Sequence, residues 1–194
     1  MAEYHFVSTW QFQAPIERVW DEIFHAERWP SWWKYVAVVE ELEPGDPDGV
    51  GKRLRLSFRT RLPYRLGFDL RVTRVQPPSM LEAEATGELE GTGRWTFTPA
   101  NGGTLVHYNW DIRTTRWWMN LLAPVARPAF KWNHDALMRE AGESLARRLG
   151  TDLVLPDDAP PQPHRLVGAA RWAVLVAALV ALVVVGWRRR TSPR

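Results

Sequence analysis

Apolar and polar side chains alternate strictly through the middle of the chain, and this pattern constrains the fold more than any other feature. In residues 53–59, Leu54, Leu56 and Phe58 alternate with arginine and serine. Successive side chains of a β-strand point to opposite faces of a sheet, so a period of two predicts a strand. Further strands are predicted at residues 4–13, 36–42, 64–72, 80–89, 94–98 and 105–113. One apolar and one charged face are typical of an antiparallel sheet with one side in water.

Three helical segments accompany these strands. Apolar residues recur at helical spacing after Pro15, a residue that suits the first turn of a helix. A second short helix is predicted over residues 27–35, where Pro30 interrupts it. A long helix is predicted over residues 117–149, with Pro124 and Pro128 as an early kink or restart. This last helix alone could cover the apolar face of a curved sheet, so the sequence predicts an α+β fold.

The C-terminal part of the chain contains a proline-rich segment and then an apolar run. Four prolines in residues 151–165 predict an extended linker. As a helix, residues 166–187 would be about 33 Å long at ~1.5 Å per residue, which matches a hydrocarbon core of roughly 30 Å. A buried core helix is the alternative, but a helix that is apolar on every side needs cover all round. We therefore predict a domain at 1–150, a linker at 151–165, one transmembrane helix at 166–187 and a basic tail at 188–194.

The net charge of +3 comes from the part of the chain after residue 165. Five of the 25 Lys and Arg residues follow position 165, whereas all 22 acidic residues precede it, so the first 165 residues carry 20 basic against 22 acidic side chains. Without a positive excess, the domain is not expected to bind nucleic acid. The chain has no cysteine, and its five histidines lack metal-ligand spacing, so we predict no metal site and no cofactor.

Membrane orientation is open to two interpretations. Four arginines after the apolar run favour a cytoplasmic C-terminus, which would place the domain on the other side. The N-terminus, however, has neither a basic region nor a long apolar run, so no signal peptide is visible. We expect a single-pass membrane protein whose globular domain is cytoplasmic. The sequence does not indicate an oligomeric state.

Short segments along residues 3–150 carry a resemblance to a known superfamily. They are residues 14–20, 29–32, 49–51, 91–95 and 102–104, and the final helix with Phe130, His134 and Met138. In this order they resemble the START-like (helix-grip, SRPBCC) superfamily, and most of all its polyketide cyclase/dehydrase and lipid transport branch. The resemblance implies a curved antiparallel β-sheet wrapped on a long C-terminal α-helix. It also implies a cavity for a lipid, a polyketide or a similar small hydrophobic ligand.

Inward-facing side chains of the predicted strands and the last helix supply candidate ligand contacts. They are Phe58, Leu66, Phe68, Trp95, Phe97, Tyr108, Trp110, Phe130, His134, Leu137 and Met138. The alternative is that these side chains fill the core and leave no cavity. His134 and Tyr108 are weak candidates for an acid or base, but a packed or hydrogen-bonded histidine and an aromatic wall with its hydroxyl satisfied elsewhere are the preferred interpretations, so no catalytic residue is assigned.

Three functions follow from this pattern. The first is a membrane-anchored domain that binds or transports a small hydrophobic molecule. The second is a cyclase or dehydratase that acts on a polyketide-like substrate. The third is an interaction domain with a filled core. By the same resemblance, the tryptophan pairs at 32–33 and 117–118 lie near the cavity entrance, where some of the rings contact the bilayer or plug the end of the core.

Overall fold

The computed structural model describes residues 2–61 and 65–154, except for the side chains of residues 118–126. One antiparallel sheet of eight strands forms the body of these residues, in the order β2-β3-β4-β5-β6-β7-β1-β8. The strands are β1 (Glu3–Phe12), β2 (Val36–Glu43), β3 (Arg53–Arg59), β4 (Arg65–Gln76), β5 (Met80–Gly87), β6 (Leu89–Ala100), β7 (Gly103–Thr114) and β8 (Leu153–Val154). The helices are α1 (Ile16–Phe24), α2 (Trp29–Trp32) and α3 (Trp117–Leu149), with a 3-10 turn at Ala26–Arg28.

Pairing between β1 and β7 joins the first strand to the last long one. Ten consecutive residue pairs connect them, with Phe6 opposite Trp110. Consecutive strands from β2 to β7 pair as neighbours, so the sheet is a meander that β1 extends at its end. Twist accumulates across a sheet of this size and curves it. The concave face thus needs a cover, as the alternation predicts.

Helix α3 supplies that cover and runs without a break from Trp117 to Leu149. Ala141 and Leu145 are completely buried against the sheet. Gly142 allows a close approach, because a Cβ atom there would lie 3.0 Å from Nε1 of Trp10. Gly150 ends the helix in the left-handed conformation at φ 71°, where glycine carries no steric penalty.

Several element boundaries differ from the sequence-based predictions. Pro30 does not interrupt a helix but lies in the first turn of α2, where a missing N–H costs nothing. Pro124 and Pro128 do not end α3. The strand predicted at residues 94–98 extends over Leu89–Ala100, and the preceding strand ends at Gly87. Leu153–Val154, which the predicted linker included, pair with Phe12 and Gln11 as β8.

The predicted transmembrane helix at 166–187 lies outside the described residues, as do residues 155–165 and the tail at 188–194. Among residues 2–61 and 65–154, no helix combines the length and the apolar character needed to cross a bilayer.

Candidate functional site

A partly open cavity of about 120 Å³ lies between the concave face of the sheet and α3. The structure places nine of the eleven predicted contact residues in its wall: Phe58, Leu66, Phe68, Tyr108, Trp110, Phe130, His134, Leu137 and Met138. Sequence reasoning missed Tyr4, Phe6, Trp33, Leu89, Ile112, Thr114 and Asn133, which complete the wall. The alternation in β1 already marked Tyr4 and Phe6 as residues of one face, but nothing in the sequence showed that this face borders the cavity.

The two remaining predicted residues lie elsewhere. Trp95 borders a second space of about 70 Å³, which adjoins the first and shares Trp33, Phe58, Phe68 and Tyr108 with it. Phe97 borders neither space. Its ring is buried beneath α1, with its centroid 5.3 Å from that of Trp20 in an edge-to-face contact. The prediction of Phe97 as a cavity residue is therefore wrong, because α1 rather than α3 covers this part of β6.

Flat aromatic rings form most of the wall between the two spaces. Phe58 and Phe68 stack with their centroids 5.6 Å apart and their planes 4° apart. Tyr108 stacks on Trp95 at 3.9 Å and on Trp110 at 5.8 Å. Such pairs hold each ring in one orientation, so the wall presents fixed planar surfaces.

Tyr108 owes its position to Gly93 on the neighbouring strand. A Cβ atom at residue 93 would lie 2.8 Å from the Tyr108 hydroxyl and 2.8 Å from the ring of Trp110. The side chain is largely buried, and burial raises the pKa of Tyr108 far above its ordinary value. Tyr108 therefore stays neutral at pH 7 and brings a hydroxyl group to the wall of the cavity.

His134 faces the cavity from α3 and stacks on Phe6, with ring centroids 4.1 Å apart and an interplanar angle of 11°. Both of its ring nitrogens are buried without a hydrogen-bond partner in the described residues, since Oδ1 of Asp135 is 3.7 Å from Nδ1. Burial lowers the pKa of His134. The nearby Asp135 opposes this shift and Lys131 adds to it. The imidazole is thus neutral at pH 7.

Tyr4 and Trp33 also bring polar atoms to the wall without pairing them. The hydroxyl of Tyr4 and Nε1 of Trp33 are buried and have no hydrogen-bond partner in the described residues. Burial raises the pKa of Tyr4, although the charge of Arg127 partly offsets the shift. The wall therefore holds several neutral hydrogen-bonding groups and no charged side chain at pH 7. In residues 2–61 and 65–154, no cluster of three His, Asp or Glu side chains could hold a metal ion.

The structure corrects one expectation about the tryptophan pairs. Trp33 is only 4% exposed and packs edge-on against Phe58 at 5.5 Å, so it belongs to the cavity wall and cannot contact a bilayer. Trp117 is 56% exposed at the start of α3. The side chain of Trp118 lies outside the described part of the chain.

Comparison with solved structures identifies the same architecture in other proteins. The Zhui aromatase/cyclase of a Streptomyces species is 15% identical and superimposes with a TM-score of 0.64, over 77% of this chain and 94% of that one. A START superfamily protein from Mycobacterium smegmatis is 17% identical with a TM-score of 0.62, over 75% and 97% of the two chains. At this identity the likeness concerns the fold.

The chain spans only about half the length of two di-domain proteins that it also matches. StfQ, a di-domain ARO/CYC from the steffimycin biosynthetic pathway, is 16% identical with a TM-score of 0.58, over 76% of this chain and 52% of that one. For the di-domain ARO/CYC BexL the covered share is 51%. No curated protein sequence matches the chain.

A family model described as polyketide cyclase / dehydrase and lipid transport matches residues 4–150, which include β1 to β7 and all three helices. The match covers the cavity and both elements that enclose it. The chain therefore belongs to the polyketide cyclase / dehydrase and lipid transport family.

Proposed function

We propose that this protein binds or transports a small hydrophobic molecule in the cavity between the sheet and α3. The cavity itself carries the proposal: about 120 Å³ of space is lined mostly by aromatic and aliphatic side chains. A close-packed interior leaves few voids larger than a water molecule, so a cavity of this size in the middle of a core argues against the filled-core alternative. An apolar pocket with a few polar groups is the usual form of a small-molecule site.

Native mass spectrometry of the gently purified full chain, followed by solvent extraction, tests this proposal. Leu137→Trp replaces an aliphatic side chain of the cavity wall with a bulkier indole. Val7→Trp adds the same indole on the outer face of β1, where Val7 is 50% exposed. We expect the wild type and Val7→Trp to release the same small apolar molecule and Leu137→Trp to release none. The proposal would be contradicted if the wild type and both variants contained no ligand, even after incubation with apolar extracts.

A cyclase or dehydratase is the second candidate. His134 favours it, because both of its ring nitrogens lack a hydrogen-bond partner in the described residues, and Tyr108 adds a neutral hydroxyl to the wall of the cavity. The Zhui protein and the two ARO/CYC proteins share the fold. In this case a linear polyketide analogue incubated with the full chain should yield a product lighter by one water. His134→Phe should abolish the loss of water. Recovery of unchanged substrate after incubation with the wild type would contradict the enzymatic function, and only the binding function would then remain.

We further propose that residues 166–187 anchor the domain to a membrane with the domain on the cytoplasmic side. The length of the apolar run supports the anchor. The four arginines that follow it favour the opposite orientation, so the side on which the domain lies is what the labelling experiment tests. The chain has no cysteine, so Ser31→Cys in the domain and Ser192→Cys in the tail each create a single labelling site. An impermeant thiol reagent on intact cells should label only the tail variant. Labelling of only Ser31→Cys would show the opposite orientation. Release of the chain from membranes by alkaline washing would contradict the proposed anchor.

A further inference from the structure

The size of the cavity limits the ligand. A dry cavity of about 150 Å³ accommodates a single benzene molecule, and pockets for drug-sized ligands measure about 300–1,000 Å³. The main space here measures about 120 Å³ and the adjoining one about 70 Å³. One aromatic ring fits the first space, and a second ring fits if the ligand extends past Tyr108 into the other. A long acyl chain or a multi-ring polyketide exceeds this room and would extend out through the open side of the cavity.

The shape of the wall favours a planar ligand. The stacked pair Phe58–Phe68 lines the cavity from the neighbouring strands β3 and β4, and the stacked pair Tyr108–Trp110 lines it from β7. Aromatic rings pack well against such faces in offset or edge-on arrangements. A branched aliphatic ligand would leave gaps against them.

The electrostatics of the wall exclude an ionised ligand. His134 and the two tyrosines are neutral at pH 7, and no Lys, Arg, Asp or Glu borders the main space. In the adjoining space, Nζ of Lys52 is already engaged by carboxylates of Glu27 at 3.3 Å and Glu41 at 3.1 Å. A carboxylate ligand would lose its hydration and gain no counter-charge, which is strongly unfavourable in an apolar site.

The unpaired polar atoms indicate that the ligand is not a pure hydrocarbon. Buried polar atoms in proteins are nearly always hydrogen-bonded. A neutral imidazole has one donor and one acceptor nitrogen, and both nitrogens of His134 lack a partner in the described residues. A ligand hydroxyl group can accept a hydrogen bond from the donor nitrogen or donate one to the acceptor nitrogen. A ligand carbonyl can accept one from the donor nitrogen.

We propose that the cavity selects a neutral aromatic compound of one or two rings, whose hydroxyl or carbonyl group forms a hydrogen bond with the imidazole of His134. This inference rests on the proposed binding function and specifies the chemistry of the ligand. It makes His134 a residue that determines specificity, whether or not the bound molecule is later transformed.

Calorimetric titration of the full chain with four probes tests the inference: 2-naphthol, naphthalene, 2-naphthoate and 1-dodecanol. Blank titrations of the solubilising medium correct for partitioning. We expect 2-naphthol to bind roughly three- to tenfold more tightly than naphthalene, which corresponds to one net hydrogen bond. At pH 7, 2-naphthoate and 1-dodecanol should bind far more weakly than 2-naphthol.

Substitution of His134 identifies the hydrogen-bonding group. His134→Phe keeps a ring against Phe6 but removes both nitrogens, so the affinity for 2-naphthol should fall to that for naphthalene, which itself stays unchanged. His134→Leu serves the same purpose if the Phe variant does not fold. The control is His107→Phe, because His107 lies on the opposite face of β7 and contacts Thr9 rather than the cavity. It should keep the affinity of the wild type for every probe.

The outcomes separate this inference from the proposed function. Equal binding of 2-naphthol and naphthalene, tight binding of 2-naphthoate, or an unchanged preference in the His134 variants would overturn the inference while ligand binding stands. Binding of 1-dodecanol but not of 2-naphthol would also overturn the inference and would favour a long aliphatic ligand. If none of the four probes binds, the proposed function itself fails.

Discussion

Acidification should destabilise the folded protein through His134. Burial holds the pKa of this imidazole below 6.5, the value of an exposed histidine, against the opposing effect of Asp135. In the unfolded chain the pKa returns to about 6.5. Between these two values the unfolded state binds a proton that the folded state does not. Stability is therefore unaffected above pH 6.5 and falls as the pH decreases through this window.

The size of the effect follows from proton linkage. One proton of difference between the two states changes the free energy of unfolding by at most about 1.4 kcal/mol per pH unit. With a urea m-value of about 2 kcal/mol per M, the unfolding midpoint should move by up to roughly 0.7 M per pH unit. The pKa of Asp135 is lowered below 3.8, against the effect of its burial, by His134 and Lys131. That carboxylate titrates below the window in question.

Urea titrations of the wild type and His134→Phe between pH 5 and pH 7.5 measure this contribution. The Phe ring retains the stacking on Phe6 and cannot be protonated, so the difference in unfolding free energy between the two proteins should shrink or reverse as the pH falls. Nuclear magnetic resonance of the His134 ring gives its folded-state pKa directly. A difference that stays constant over this range, or a ring that titrates at or above pH 6.5, would refute the reasoning.

Two further substitutions test the packing around the site. Gly93→Ala brings a methyl group within 2.8 Å of the Tyr108 hydroxyl and of the Trp110 ring. Overpacking should lower the free energy of unfolding in urea by about 1–3 kcal/mol and weaken the binding of 2-naphthol. Unchanged values for both would contradict this account. Thr104→Val removes the buried hydrogen bond of 2.7 Å from Thr104 to the Ala14 carbonyl, which should cost about 1–2 kcal/mol while ligand binding persists; a neutral effect on unfolding would show that the carbonyl finds another partner.

Local periodicity carried enough information to predict the sheet and its covering helix. A period of two determines which residues share a face of a strand, so the sequence alone assigns Phe58, Phe68 and Trp110 to the concave side. Helical spacing did the same for Phe130 and His134 on α3. These assignments depend on short-range geometry, which the order of residues determines directly.

Contacts between elements that are distant in sequence could not be predicted in the same way. Phe97 and Tyr108 occupy equivalent inward faces, but only packing decides that α1 covers the first and α3 the second. Trp32 is the last residue of α2 and Trp33 follows it in an extended conformation, and the sequence does not tell which of these two neighbours is buried. The two residues of β8, Leu153 and Val154, are too few to show any period.

The short strand β8 determines the point from which a linker to a membrane would start. Leu153 lies level with Gly142, where a Cβ would be 3.1 Å from it, and β8 runs antiparallel to β1, back toward the Trp117 end of α3. The helix between Gly142 and Trp117 is about 38 Å long. Residues 155–165 could span roughly 34 Å as polyproline II and at most about 40 Å fully extended. If residues 166–187 enter a bilayer, residues 155–165 would therefore bring the Trp117 end of the domain to its surface only when almost fully extended.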